Sequence, residues 1–294
     1  MTGVSVVIPT RDRPALLAAA LEALIRAVRP DDEVVVVDSA SRDPAVRRVA
    51  AAHGVKIVRL EQAGTSRARN AGVASTTGAL VAFLDDDCLV SPSWIEQIER
   101  AFEDPDSGFV TGRVVADREA KSPVSIVKGS ERRVFDPEGD FSRMGGGVNM
   151  SLRRDALQVI GGFDEGMGPA TQLRAAEDHD VIWRLLRAGW AGIYEPSIVV
   201  THQQWRTTRQ AIQREYAYGV GAGALAVKMI RSGDPRGWAT LRARFWGDGL
   251  AMSGRNLVRG YESGAAGAAL KAAGVMVGAV RASRIQLVDG RFGA

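Results

Sequence analysis

The chain of 294 residues has a single cysteine, Cys88, which excludes an internal disulfide and a zinc site built from several cysteines. No run of roughly 18 uninterrupted apolar residues is present, so the sequence does not predict a simple membrane-spanning helix. The amino terminus lacks the basic region and long apolar core of a signal peptide. Together these absences predict a cytoplasmic protein. A location at the inner face of the plasma membrane is the alternative.

Glycine-rich phosphate loops are also missing. No Gly-Lys-Ser/Thr loop follows a strand, which counts against nucleotide hydrolysis. The segment Gly219–Ala224 has the spacing of a dinucleotide-binding glycine motif, but it follows a helical stretch rather than a strand. We therefore reject that interpretation.

Charge is distributed unevenly along the chain. Residues 1–203 hold 24 basic and 29 acidic side chains, whereas residues 204–294 hold 14 and 5, a net charge of +9. This break predicts two regions, of which the second can present a solvated surface, an anionic membrane surface or a dimer interface. A role in nucleic-acid binding is not expected.

The amino-terminal half alternates between short β-branched runs and amphipathic helical segments. Strands are predicted at 4–8, 33–38, 56–60 and 80–84, with helices between them from Pro14, at 45–52 and at 66–75. Such alternation with short loops predicts an α/β fold with a mainly parallel sheet and helices on both faces. Further strands are predicted at 108–115, 148–153, 194–196 and 198–201, with helices at 91–102, 155–160 and 181–189. Residues 117–143 are polar without a clear pattern, and the chain beyond His202 is predicted to be helical to about residue 283.

Three adjacent carboxylates, Asp85, Asp86 and Asp87, follow the strand at 80–84. Ligands of open parallel sheets bind beyond the carboxyl ends of the strands, and three carboxylates there repel one another unless a cation offsets the charge. In extended chain, Asp85 and Asp87 would point to one side and Asp86 to the other. Mg²⁺ or Mn²⁺ is the expected cation, and an acidic turn that caps the next helix is the alternative. Asp38 ends the neighbouring strand and can accept hydrogen bonds from a base or ribose, or serve only in a turn.

Five segments in order resemble the family 2 glycosyltransferases, which have the GT-A fold: Val4–Arg13, Val35–Ser39, Gly64–Gly72, Phe83–Asp87 and Ala176–Asp180. The resemblance covers roughly residues 1–203 as the catalytic domain. Within it, residues up to about 115 form the nucleotide-sugar half and residues from about 116 the acceptor half. Residues 204–294 form a helical carboxyl-terminal region beyond the resemblance.

The resemblance implies a role for each matching residue. The nucleotide-sugar donor (UDP-, GDP- or dTDP-linked) would be bound by Pro9, Thr10, Arg11, Asp38, Arg67, Asn70, Asp85 and Asp86. Asp87 would hold the divalent cation, and His202 matches a histidine that helps to hold it in some relatives. The Gln-x-x-Arg-Trp signature of processive members is absent, which favours transfer of a single sugar to a hydroxyl acceptor such as a lipid-linked, cell-envelope or small-molecule one.

Asp178 is similar to the general base of the family. An ionised carboxylate can remove the proton of the acceptor hydroxyl while that oxygen attacks the anomeric carbon, and a single displacement inverts the configuration. Taken alone, Asp178 fits an N-cap better than a general base, because it begins a helix. Acceptor contacts are predicted more weakly, for Gly146, Gly147, Asn149, Glu177 and Trp205.

Two other functional classes compete with glycosyl transfer. A non-catalytic nucleotide-binding module would not need both Asp178 and the Asp85–Asp87 motif. A nucleotidyltransferase usually has a glycine-rich basic loop after its first strand, and here that loop, Pro9–Arg13, has no glycine.

Overall fold

The computed structural model describes residues 3–118, 125–136 and 145–293, and these residues form two compact units. The first unit contains 3–118, 125–136, 145–163 and 181–204, and the second contains 164–180 and 205–293. Part of the polar stretch 117–143 therefore lies outside the described residues.

The first unit begins with the predicted strand–helix alternation. Its elements are β1 (Val4–Thr10), α1 (Pro14–Leu24), β2 (Glu33–Ser39), α2 (Ala45–Ala52), β3 (Lys56–Leu60), α3 (Thr65–Ala74) and β4 (Leu80–Leu84). The chain continues through β5 (Cys88–Val90), α4 (Trp94–Ala101), β6 (Ser107–Ala116), β7 (Arg133–Phe135), β8 (Asn149–Arg153), α5 (Arg154–Val159), α6 (Glu177–Arg187) and β9 (Ala191–His202). The helix α6 crosses the boundary, because its first four residues belong to the second unit.

Within the described residues, all nine of these strands form one sheet in the order β3-β2-β1-β4-β8-β6-β9-β5, with β7 on β9. Six of them run in the same direction, and β5, β7 and β8 run against it. The sheet is therefore mainly parallel, as the alternation predicts, and its two halves meet across the antiparallel strand β8.

Helices cover both faces of the sheet. Ile8 and Val36 belong to one buried cluster with Leu17 and Leu21 of α1. Val7 points to the opposite face, where it lies so close to Gly72 of α3 that no side chain fits between them. All residues of β1 are buried, which explains its continuous β-branched run.

The second unit is mainly helical. It contains α7 (Thr208–Arg231), α8 (Arg236–Arg242), a π-helical segment (Ala243–Ala251), α9 (Met252–Val258), α10 (Glu262–Arg284) and a hairpin of β10 (Leu287–Val288) and β11 (Arg291–Phe292). A capping box starts α7, since Gln210 N–H donates to Thr207 Oγ1 and Thr207 N–H donates to Gln210 Oε1.

Glycines bring α7 and α10 into backbone contact. A Cβ on Gly219 or Gly223 would collide with the backbone of α10, and one on Gly274 or Gly278 would collide with the backbone of α7. The glycine pattern that we rejected as a nucleotide site is thus a helix-packing surface. Among the described residues, one helix, α10, is long and apolar enough to cross a membrane, and 39% of its most apolar window is buried.

The structure differs from the predicted elements in four places, one of which is the short strand β7 in the polar stretch 117–143, where no element was predicted. The strand β5 was not predicted, because its three residues are too few to show a period. The two strands predicted at 194–196 and 198–201 are one strand, β9, with a register shift opposite Gly112 and Arg113. The hairpin of β10 and β11 follows the last helix, where no strand was predicted.

Candidate active site

Polar residues gather at the carboxyl edge of three neighbouring parallel strands. Thr10 ends β1 and lies opposite Asp38 of β2 in the sheet register. On the other side of β1, Asp85 directly follows the end of β4. Parallel strands end at the same edge, so the fold collects these side chains in one place.

The three aspartates lie in a turn, not in extended chain. Cys88 N–H donates to the carbonyl oxygen of Asp85, which closes the turn. Arg13 consequently contacts two consecutive carboxylates, with Nη2 2.8 Å from Asp86 Oδ1 and Nη1 3.2 Å from Asp87 Oδ2. The expectation that Asp85 and Asp87 share a side and Asp86 faces away was therefore wrong, because a turn does not keep the alternation of a strand.

Asp86 is the most deeply buried of the three. Its side chain has no exposed surface, and its Oδ2 accepts a 2.6 Å hydrogen bond from Thr10 Oγ1. Burial is the largest cause that raises the pKa of Asp86, and the charges of Asp87 and Asp85 add to it. Arg13 and the bond from Thr10 oppose the shift, and the resulting pKa is about 7.

Asp85 faces a second arginine. Arg69 of α3 is buried, and its Nη2 lies 3.4 Å from both Asp85 Oδ1 and the carbonyl oxygen of Gly147. Its guanidinium lies near the rings of Phe83 and Phe163, 6.0 and 5.4 Å from their centroids. The two aromatic rings and the Asp85 carboxylate hold the guanidinium of Arg69 in place.

The pairing of β5 with β9 brings His202 next to the aspartates. Cys88 and His202 are partners in the ladder, and His202 Nε2 lies 3.5 Å from Asp87 Oδ1. Ligand atoms of Asp87, Cys88 and His202 all lie within 4.8 Å of one another. A carboxylate and an imidazole are suitable ligands for Mn²⁺, so this pair fits a divalent cation.

Gln204 supports the imidazole from behind, with its side-chain amide 2.7 Å from His202 Nδ1. The atom at this distance is Gln204 Nε2, whose N–H groups face His202 Nδ1 and, at 3.4 Å, the His202 carbonyl oxygen. The opposite amide orientation, in which Gln204 Oε1 accepts the Nδ1 proton, would leave the Nε2 lone pair for a cation. Gln204 is itself held by Asp117 and Arg118: Gln204 N–H donates to Asp117 Oδ1, and Arg118 donates to the Gln204 carbonyl oxygen.

Cys88 lies in this group but is a poor ligand. Burial is the largest cause that raises the pKa of its thiol, and the negative charges of Asp87, Asp85 and Asp86 raise it further. A hard cation such as Mn²⁺ or Mg²⁺ also prefers oxygen ligands to sulfur, so Cys88 is the least suitable ligand of the three. Its role in the structure is packing, since it belongs to the buried core.

The carboxylate of Asp38 is held from two sides. Its Oδ1 accepts from Ser41 N–H, and its Oδ2 accepts from Arg59 Nη1 at 2.7 Å. The turn after β2 and the loop after β1 also grip each other, because Asp12 N–H donates to Ser41 Oγ. Asp12 and Ala40 adopt positive φ angles of 54° and 59° in these loops, a strained conformation that is common at ligand sites.

The other residues predicted to bind the nucleotide-sugar make different contacts in the structure. Pro9 is buried within β1, and Arg11 is exposed beyond its end. Arg67 donates to Gln62 Oε1 on the surface of α3. Asn70 makes a reciprocal pair with the backbone of Phe163, so its amide is used to fix that loop.

Of the residues predicted to contact the acceptor, Gly147 lies next to Arg69, whereas the side chain of Asn149 is bonded to other parts of the protein. Gly147 is buried beside Arg69, and the adjacent Gly146 is partly exposed. Asn149 donates to the carbonyl oxygens of Arg113 and Ile198 and accepts from Trp94 Nε1. Three bonds to the protein give Asn149 a structural role, and we do not include it in the proposed site.

In the second unit, Asp178 lies in the first turn of α6 and its side chain is 19% exposed. Its Oδ1 accepts from the backbone N–H of His179 at 2.8 Å. Glu177 is buried, whereas Trp205 is exposed and its ring lies 4.3 Å from the guanidinium of Arg206. Ala170, Arg174 and Ala176, just before α6, all adopt positive φ angles, which marks this segment as strained.

Asp180, two residues after Asp178, belongs to a buried cluster of charged side chains. Lys228 of α7 has no exposed surface, and its ammonium lies 2.6 Å from both Asp180 and Asp164. Asp164 also accepts from the backbone N–H groups of Gly166 and Phe292. The cluster joins the start of α6, the 164–167 turn, α7 and the terminal hairpin.

Sequence reasoning missed four residues that complete these arrangements, namely Arg13, Arg59, Gln204 and Lys228. Arg13, Arg59 and Lys228 each pair with a carboxylate that lies at least 20 residues away in the sequence. Gln204 contacts His202, two residues before it. A signal existed only for Arg59, because a parallel β2–β3 pair sets it opposite Asp38.

Comparison with known proteins identifies relatives of this chain among glycosyltransferases. The sequence profile of the family described as glycosyl transferase family 2 matches residues 5–161. A pre-mycofactocin glycosyltransferase of Mycobacterium tuberculosis is 32% identical over 236 residues, which cover 76% of this chain and 48% of that protein. An O-antigen chain rhamnosyltransferase of Salmonella typhimurium is 26% identical over 74% of this chain and 71% of its own length. This chain thus spans about half the length of the mycobacterial relative.

Solved structures share the fold. A mannosyltransferase from Pyrobaculum calidifontis, in complex with GDP-Man and Mn²⁺, matches with a TM-score of 0.63 and 20% identity. The match covers 96% of this chain and 87% of that one.

Proposed function

Because the chain belongs to glycosyl transferase family 2, we propose that it is an inverting glycosyltransferase that moves one sugar from a nucleoside-diphosphate sugar to a hydroxyl acceptor. One observation carries the proposal. Asp86 and Asp87 are buried side by side at the carboxyl edge of the parallel strands, against Thr10, Arg13 and His202. Buried carboxylates held together in this way suit a cation and a diphosphate better than they suit a surface turn.

The donor would lie across the ends of β1, β2 and β4. Asp38, fixed by Ser41 and Arg59, keeps a carboxylate oriented for a base or ribose. Pro9, Thr10 and Arg11 border the same edge, and Asp85 and Asp86 would reach the ribose side. UDP-, GDP- and dTDP-sugars share this chemistry, and the Pyrobaculum mannosyltransferase structure, with GDP-Man and Mn²⁺, supports the class.

Asp87 and His202 would hold Mn²⁺ or Mg²⁺, with Gln204 setting the orientation of the imidazole. When bound, the cation neutralises charge on the leaving diphosphate. Arg13 keeps Asp86 and Asp87 together through both of its terminal nitrogens. Arg67, on the exposed side of α3, would approach the phosphates.

Asp178 would act as the general base. Its position in the first turn of α6, with a hydrogen bond from the N–H of His179, favours the ionised carboxylate. That carboxylate would take the proton of the acceptor hydroxyl as the oxygen attacks the anomeric carbon from the face opposite the leaving group. A single displacement then inverts the anomeric centre. Glu177, Trp205, Gly146 and Gly147 would border the acceptor.

The acceptor is proposed to be a hydroxyl of a cell-envelope or lipid-linked glycan. The rhamnosyltransferase relative acts on O-antigen chains, and the absence of the processive signature favours addition of one sugar. We place the reaction in the cytoplasm, where nucleotide-sugars are available and a lone buried thiol persists.

Product analysis with Mn²⁺ and a panel of nucleotide-sugars tests the proposal. We expect release of a nucleoside diphosphate, and release of pyrophosphate would instead establish a nucleotidyltransferase. Asp178→Asn should reduce turnover by roughly 100- to 10,000-fold while donor binding is retained.

The matched control for Asp178 is Asp155→Asn. Asp155 also begins a helix and accepts from the N–H of the next residue, at 2.7 Å from Ala156. Turnover should be unchanged in this control. If Asp178→Asn retained full turnover, Asp178 would not be the base.

A further inference from the structure

The segment from α8 through α9 has its bulky apolar side chains on the outside. Trp238, Trp246 and Leu257 are 64%, 59% and 61% exposed, and Val258 is 90% exposed. We call the exposed apolar residues of this segment the outer face; they are Trp238, Trp246, Leu250, Met252, Leu257 and Val258. An amphipathic helix of a soluble protein normally shows the opposite arrangement.

Small residues make the inward contacts of this segment. Gly237 and Gly249 are its buried residues. A Cβ on Gly237 would come within 2.7 Å of the carbonyl oxygen of Ala226 in α7, and one on Gly249 within 2.6 Å of Ala272 Cβ in α10. These helices therefore pack closely through their glycines, and no larger side chain fits at either position.

A groove opens between these side chains. It has a volume of about 580 Å³ and is lined by Trp238, Phe245, Trp246, Met276 and Arg242, among others. Its walls are aromatic and aliphatic, and Arg242 is the charged residue among those that line it. This combination suits a ligand with an apolar chain and an anionic head.

The charged side chains around the outer face are mostly positive. Residues 236–259 contain five arginines and one acidic residue, Asp248. That acid is bound by Arg244 at 2.6 Å, whereas Arg242, Arg255 and Arg259 are exposed. Tryptophan beside arginine is the composition that binds the boundary between lipid headgroups and acyl chains.

We propose that the outer face binds the surface of an anionic phospholipid bilayer. The arginines would contact lipid phosphates, and the two tryptophans would enter the headgroup boundary with acyl chains in the groove. A second copy of this chain is a poorer occupant, because a twofold interface would bring the same positive patch against itself. The proposal does not depend on glycosyl transfer.

Vesicle flotation of the full chain tests this assignment. The two probes are vesicles of phosphatidylcholine alone and vesicles that also contain phosphatidylglycerol. We expect flotation only with the anionic vesicles, weaker at high salt. The double variant Trp238→Ala/Trp246→Ala should reduce binding by about tenfold or more, and Arg242→Ala and Arg255→Ala by about fivefold each.

Matched controls lie on the first unit. Ile25→Ala and Val159→Ala remove exposed apolar side chains, and Arg47→Ala and Arg48→Ala remove exposed arginines. All should float like the parent, and far-ultraviolet circular dichroism should show that the variants are folded.

Three results would overturn the proposal: no flotation of the parent, equal losses in the controls, or unchanged flotation of the tryptophan variant. Light scattering adds a further check. A dimer without vesicles that the tryptophan substitutions dissociate would assign the outer face to a second copy. Nucleoside-diphosphate release without vesicles is measured separately, so failure of the proposed chemistry would not be mistaken for failure of this surface.

Discussion

Replacing Lys228 by methionine is expected to destabilise the second unit more than any surface substitution does. The ammonium is fully buried and lies 2.6 Å from both Asp164 and Asp180, whose side chains are 1% and 0% exposed. Methionine keeps most of the side-chain volume and removes the charge. Two carboxylates then remain in the interior without the cation that offsets them.

The size of the effect follows from the partners that remain. Asp164 keeps the backbone N–H groups of Gly166 and Phe292, and both carboxylates lose the Lys228 ammonium. Removing one member of a buried ion pair typically costs about 3–5 kcal/mol. A globular domain has a free energy of unfolding of about 5–15 kcal/mol, so this loss is a large fraction of it.

Amide hydrogen exchange in α7 measures this loss locally, and urea unfolding measures it globally. Lys271→Met is the control, because Lys271 pairs at 3.2 Å with the partly exposed Glu215 and should cost less than about 1 kcal/mol. The double variant Lys228→Met/Asp180→Asn should recover stability, since it removes one of the two buried carboxylate charges that the ammonium offsets. Equal effects of the two lysine substitutions, or no recovery, would refute the reasoning.

Three further predictions concern the first unit. Asp87→Ala should weaken Mn²⁺-dependent donor binding by about 100-fold, measured by calorimetry, and affinity equal to the parent would remove Asp87 from the metal site. The pKa of about 7 means that Asp86 binds a proton below neutral pH. Metal affinity should therefore rise with pH to about 7 and then level off, and a flat calorimetric profile between pH 5.5 and 8 would contradict this. Although burial raises the pKa of Glu33, hydrogen bonds from Ser5, Thr77 and Gly78 outweigh it and lower the pKa to about 2. Because this folded-state pKa is depressed, Glu33→Gln should lose stability at neutral pH. Its Tm should approach that of the parent as pH falls from about 4.5 toward 2, and a constant difference would be inconsistent with that linkage.

The regular part of the fold was predictable because local pattern and tertiary structure agree there. Helix 45–52 and strands 56–60 and 80–84 have the predicted bounds. In these elements the period of apolar residues matches the face that is buried. The short strand β5 escaped prediction because it is defined by its partner β9 rather than by its own three residues.

The position of the aspartates could be predicted, but their contacts could not. A carboxylate after a buried parallel strand must lie at the ligand edge, whatever the rest of the chain does. Which side chains meet it depends on register and turn geometry, as the pairing of Arg13 with both Asp86 and Asp87 shows. Asn70 shows the same limit. Its motif position implied a nucleotide contact, whereas its side-chain amide is hydrogen-bonded to the backbone of Phe163.

The packing of α7 on α10 has a consequence for which substitutions the chain can accept. Alanine is the best helix former, yet at Gly278 its methyl group would overlap the carbonyl oxygen of Val220. At Gly254 of α9 the same methyl group meets nothing, and a helix there should gain from it. Replacement of glycine by alanine should therefore be tolerated in α9 and rejected where α7 packs on α10. The absence of a side chain at a few glycines determines how closely those two helices approach.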